Sequence, residues 1–99
     1  MKVVIRKAGR RDKKYEAVVG GKTIPFGAAG YEDFTTHGDE ERKARYIARH
    51  RKTEDWTRGG VDTAGFYARW VLWNKTTVAA SVRDLNARFS GISFAFKQN

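Results

Sequence analysis

Arg6, Lys7, Arg10, Arg11, Lys13 and Lys14 place six cations within nine residues, offset only by Asp12. Cations at that density suit phosphate contact, because each one near a phosphate releases condensed counterions. They fall where a hairpin turn is expected, so the sequence predicts a mobile basic arm. Solubility and contact with an acidic protein surface are the competing uses of the same charges. A second set, Arg42, Arg45, Arg49 and Lys52, forms one stripe at 100° per residue. It suits a phosphate backbone; the alternative is a solvated helix face neutralised by Glu40, Glu41, Glu54 and Asp55. Trp56 lies between charged and glycine-rich segments and is the aromatic expected to be exposed for base stacking. The other large aromatics, Tyr31, Phe34, Tyr67, Trp70 and Trp73, are expected in the core.

Other chemistry is poorly served. His37 and His50 stand thirteen residues apart, one in a loop and one on a helix, without the spacing of a metal signature. They are expected to be structural hydrogen-bonding residues. Asp33, Asp39, Glu41, Glu54 and Asp55 are the carboxylates a metal-dependent nuclease would draw on. Most of them are equally explained as helix caps or as partners of neighbouring arginines. Gly20-Gly21 and Gly59-Gly60 read as turns, since no Lys-Ser/Thr follows them as in a phosphate-binding loop. The reading therefore assigns no catalytic residue, no metal ligand and no cofactor.

The totals agree with a binding protein. The chain has 99 residues, 13% of them aromatic, enough for one domain spanning 1–99. There is no cysteine, so disulfides and thiolate metal sites are excluded. Net charge is +9: residues 1–30 carry +6, residues 31–60 balance, and residues 61–99 carry +3. The excess favours a polyanionic partner. No apolar run is long enough for a signal peptide or a membrane span, so a protein that is not secreted is expected.

These residues need elements to position them. Residues 2–7, 14–19 and 22–26 read as strands, with Gly20-Gly21 supplying a two-residue hairpin loop. Pro25 marks the third strand as an edge. Thr36-x-x-Asp39 reads as the start of a helix that runs to about Thr53. Residues 64–73, Ala-Gly-Phe-Tyr-Ala-Arg-Trp-Val-Leu-Trp, carry one charge and predict a core helix buried on nearly all sides. Regular helical spacing would put Phe66, Trp70 and Trp73 on one face. Asp62 or Thr63 is suited to cap that helix, and Thr76 or Thr77 the next. Val78, Val82, Leu85 and Phe89 form the core stripe of a third helix, and Gly91 ends it. Ile92, Phe94 and Phe96 alternate as a final strand. The expected fold is α+β: an N-terminal three-stranded antiparallel meander, three helices with a buried central one, and a C-terminal strand joining the sheet.

Two runs carry a family resemblance. One is Thr36-His37-Gly38-Asp39, Glu41-Arg42-Lys43, Arg45-Tyr46-Ile47-x-Arg49-His50 and Glu54-Asp55-Trp56. The other is Thr63-Ala64-Gly65-Phe66-Tyr67-x-Arg69-Trp70-Val71-Leu72-Trp73-Asn74-Lys75. Together they resemble a family of small uncharacterised basic proteins of large eukaryotic DNA viruses, of the phycodnavirus and mimivirus kind and from environmental viral sequences. In that family a proline commonly follows the Asn-Lys pair, where Thr76 stands here. The resemblance implies viral origin and no assigned reaction. The resulting expectation is a non-enzymatic protein in the virion or the infected cell, in its nucleus or cytoplasm, with nucleic acid as partner. The alternative is a minor capsid or cement protein contacting acidic viral structural proteins.

Overall fold

A computed structural model describes residues 1–98. The chain opens with three antiparallel strands, β1 (Lys2–Lys7), β2 (Lys13–Val19) and β3 (Lys22–Ala28). Gly20 and Gly21, at φ 52° and 82°, make the β2–β3 loop, a conformation L side chains resist. After the helices, β4 (Ser93–Lys97) returns parallel to β1, giving the order β3-β2-β1-β4. Pro25 therefore does lie on an edge strand. The other edge, β4, is blocked at one residue from within. The Asn86 side chain donates to the Phe94 carbonyl (2.9 Å) and accepts from its N–H (2.8 Å), occupying backbone groups that would otherwise recruit another strand.

The helices cover one face of this sheet. Val3, Ile5, Ala17, Val19, Phe26 and Phe94 point into the core against Phe66, Tyr67, Val71, Leu72, Val82 and Leu85. Among the described residues four α-helices form: α1 (Phe34–His37), α2 (Glu40–His50), α3 (Ala64–Tyr67) and α4 (Val78–Arg88). Asp33, Asp39, Thr63 and Thr77 cap them in turn. No helix among the described residues is long and apolar enough to cross a membrane.

The structure departs from the expected elements at three places. Thr36 does not open α2. It completes a capping box with Asp33 that starts α1, in what was expected to be loop, and Asp39 starts α2. α2 ends at His50, so Lys52 lies beyond the helix that was expected to carry it. The central segment is not one regular helix. α3 passes into a π-helical turn, Ala68–Leu72, closed by Trp73 N–H to the Ala68 carbonyl at 3.1 Å. The extra residue in that turn rotates Trp73 off the face shared by Phe66 and Trp70. Those two rings meet Phe89, whereas Trp73 meets Tyr46 and His37.

The segment Glu54–Trp56 lies directly on this central helix and its approach. A Cβ on Gly60 would sit 1.9 Å from the Asp55 carbonyl oxygen, and one on Gly65 would sit 1.8 Å from a Glu54 carboxylate oxygen. Gly60 is thus a contact surface as well as a turn residue. Gly60→Ala should cost about 1–3 kcal/mol through overpacking. Gly9→Ala, where an added Cβ meets nothing within 4 Å, should stay within about 0.5 kcal/mol of the parent. Urea unfolding of the two variants checks the contrast.

Candidate nucleic-acid interface

α2 is a polar helix held by few side chains. Asp39 accepts from the Glu41 and Arg42 N–H groups, and Glu40 and Glu41 favour the positive end of the helix dipole. Tyr46 is its one buried residue. The Tyr46 ring stacks on Trp73 at 4.4 Å and 4°, with Trp56 beyond at 6.4 Å and 15°. His50 packs beside Tyr46 at 4.2 Å and donates from Nδ1 to the Tyr46 carbonyl. Lys43 supplies a second tie. Its ammonium donates to the Asn74 carbonyl at 2.8 Å and lies 4.6 Å from the centre of the Phe34 ring. Burial lowers the pKa of that ammonium. At the start of α2, His37 Nδ1 accepts from the Asp39 N–H at 2.9 Å. Both histidines thus make a backbone hydrogen bond through Nδ1, while His37 Nε2 is buried without a partner among the described residues.

This attachment leaves an open groove of about 630 Å³ between α2 and the end of the β2–β3 hairpin. Tyr46, Leu72 and Trp73 form its floor. Gly27, at φ 78°, lets Leu72 in, since a Cβ there would lie 2.6 Å from Leu72 Cδ1. Arg42, Arg45 and Arg49 make one wall, and Lys14, Asp33, Glu32 and Tyr31 make the other. Lys14 is clamped to Asp33 at 2.6 Å, with little of either side chain exposed. Arg42 pairs with Glu32 at 3.1 Å. Arg45 approaches Glu41 only to 3.9 Å, and both side chains are exposed, so the pair is worth about 0–1 kcal/mol. Arg49 makes no ion pair among the described residues. Two cations in this groove are therefore available to a ligand.

The N-terminal cluster is less free than its composition suggests. Arg6 pairs with Glu16 at 2.7 Å, and that contact holds the Glu16 carboxyl below its ordinary pKa. Arg10 grips Asp12 through two hydrogen bonds, at 3.0 and 2.9 Å. With Lys14 on Asp33, half the cluster is matched, against the single acid counted from the sequence. Nor is it a free arm. Ala8 N–H bonds the Lys14 carbonyl at 3.2 Å, and Ala29 N–H bonds the Asp12 carbonyl at 3.0 Å, fixing both flanks of the turn. Arg11 and Lys13, at that turn, make no ion pair among the described residues, and Lys7 borders a separate depression with Tyr15, Phe96 and Lys97. Of the cations singled out from sequence, Lys14, Arg42, Arg45 and Arg49 meet in one groove. Lys52 stands exposed beyond α2.

The aromatic expected to be exposed is half-buried instead. Trp56 stacks behind Tyr46, lies under the Arg69 guanidinium at 5.6 Å, and gives its carbonyl to the Trp70 indole N–H at 2.9 Å. Tyr31, expected in the core, is 74% exposed on the lip of the groove. Its sequence signal was the Asp33-x-x-Thr36 box. The box makes Phe34 the first helical residue, turned inward, and leaves Tyr31 outside the cap. The carboxylates weighed for a nuclease are dispersed as caps and local partners. Asp33 caps α1, Asp39 caps α2, and Asp55 binds Thr57. Among the described residues, no group of three or more His, Cys, Asp or Glu side chains is placed to hold a metal ion.

Burial pushes the Tyr46 hydroxyl up to about 12, with nearby Glu54 adding to the rise. The unfolded chain would ionise this tyrosine near its ordinary value of 10.0, while the folded chain keeps it protonated. Its stabilising effect is therefore complete below pH 10 and is lost as pH rises to about 12. Denaturant midpoints measured from pH 9 to 12 should fall, and Tyr46→Phe should make the fall shallower.

Comparison with known proteins places residues 3–50, just under half of the chain, against the model of a family of unknown function, DUF5754. That stretch holds nearly all of the meander, α1, α2 and the stripe residues Arg42, Arg45 and Arg49, but not Lys52. No curated protein and no solved structure matches the chain.

Proposed function

We propose that this chain is a small viral protein, associated with the virion, that binds nucleic acid through the phosphate backbone and carries out no reaction of its own. The observation that carries this reading is the groove in which Arg45, only loosely paired with Glu41, and Arg49, without an ion pair among the described residues, share the lining with Lys14 and the exposed Tyr31 ring. Guanidinium groups lining a concave surface are suited to phosphate oxygens, which they bind in a fork. The net charge of +9 adds long-range attraction for a polyanion. The viral setting rests on the resemblance of the two sequence runs described above. Contact with an acidic capsid protein is the second reading. An exposed tyrosine beside arginines is also the composition of a protein-interface anchor.

Binding of a labelled oligonucleotide, followed by fluorescence anisotropy across 25–300 mM salt, tests the proposal. Affinity should fall steeply with salt. The double variant Arg45→Ala, Arg49→Ala should weaken binding and flatten the logarithmic salt slope by about 2, one unit per phosphate contact. Unchanged affinity in the double variant would reject the groove as the interface. No binding at the lowest salt would favour the capsid partner.

A further inference from the structure

We infer that the groove takes single-stranded nucleic acid in preference to a duplex, with one base stacked on Tyr31. The inference rests on the phosphate-contact reading and names the form of polyanion that the same site accepts. Shape is the first argument. Arg42, Arg45 and Arg49 line a hollow and do not crown a ridge. A helix that reads the bases of a duplex must protrude into a major groove about 12 Å wide and carry its contacts on the protruding side. Here a second wall, built from Tyr31, Glu32 and Asp33, faces the arginine side of α2. A duplex can offer this groove only its phosphate ridge, because its bases are stacked inside and beyond the reach of Tyr31. An extended strand, with one base turned out, offers a base as well.

Size and chemistry agree. A hollow of about 630 Å³ falls within the roughly 300–1,000 Å³ typical of ligand pockets and has room for one nucleotide unit with its phosphates. Tyr31 is 74% exposed and has no place in the core, although its neighbour Phe34 is buried. A single strand offers the unpaired base face that such a ring would cover, and a duplex does not. The acidic side chains nearby do not oppose the anion freely. Asp33 is held by Lys14 at 2.6 Å, and Glu32 by Arg42 at 3.1 Å. That leaves Arg45 and Arg49 on the wall opposite Tyr31, positioned for the phosphates that flank the stacked base.

The test compares a labelled 12-nucleotide single strand with its own duplex at one low salt concentration, using the parent protein, Tyr31→Ala and Tyr31→Phe. The parent should bind the single strand at least about tenfold more tightly than the duplex. Tyr31→Ala should lose about tenfold on the single strand and nothing on the duplex, and Tyr31→Phe should retain both. Tyr31 is exposed, so its variants should keep the parent's unfolding midpoint, which is measured alongside. Equal affinity for the two forms, with Tyr31→Ala matching the parent, would overturn this inference and leave the phosphate-contact reading standing. Failure of the parent to bind either form would overturn both.

Discussion

Two nearly parallel rings, Tyr46 and Trp73, join the basic helix α2 to the rest of the chain. α2 has eleven residues and buries only Tyr46. A helix that short and polar is marginal alone in water. Its stability must come from this stack, from Lys43 on the Asn74 carbonyl, and from its caps. An aromatic pair adds about 0.5–1.5 kcal/mol beyond the burial of its area. The partner ring is available only because the π-helical turn directs Trp73 away from Phe89 and toward α2. The local departure from regular helix thus determines where three arginines stand.

Charge in this protein divides into three kinds. Arg6, Arg10, Lys14 and Arg42 are matched to carboxylates within 3.1 Å and serve to fix turns and walls. Arg69 and Arg88 lie against Trp70 at 4.4 and 4.3 Å and serve packing. Of the cations that remain for a partner, two are brought together by shape. Arg45 and Arg49 share a groove with an exposed tyrosine, while Lys7, Arg11 and Lys13 lie apart from it at the β1–β2 turn. Geometry separates these roles; composition adds them together.

The architecture was legible because local signals agreed with one another. Alternation in β2, the Gly20-Gly21 loop, Pro25 and the stripe Val78, Val82, Leu85 each point to the element that forms. The parallel return of β4 beside β1 required tertiary information, since alternation specifies a strand and not its neighbour. The aromatics misled for a related reason. Exposure of Trp56 was inferred from polar flanks, yet a ring's position depends on the partner that stacks on it, and Tyr46 is ten residues away. The ion pairs were hidden as well. Lys14 and Asp33 are 19 residues apart and meet only once β2 and α1 are placed. Gly60 and Gly65 looked like ordinary turn and helix residues, because the chain that lies against them is contributed by Glu54 and Asp55.

Among the ties of α2, the Tyr46–Trp73 stack is the one that holds the cationic wall in place. Amide hydrogen exchange of the parent and of Tyr46→Leu, followed residue by residue, tests this directly. Without the Tyr46–Trp73 stack, amides of α2 from Ala44 to His50 should lose most of their protection. Amides of β1, β2 and α4 should keep theirs, because their contacts run through Ile5, Ala17 and Leu85. An α2 that stays protected in the variant would contradict the account and place the helix's anchorage elsewhere.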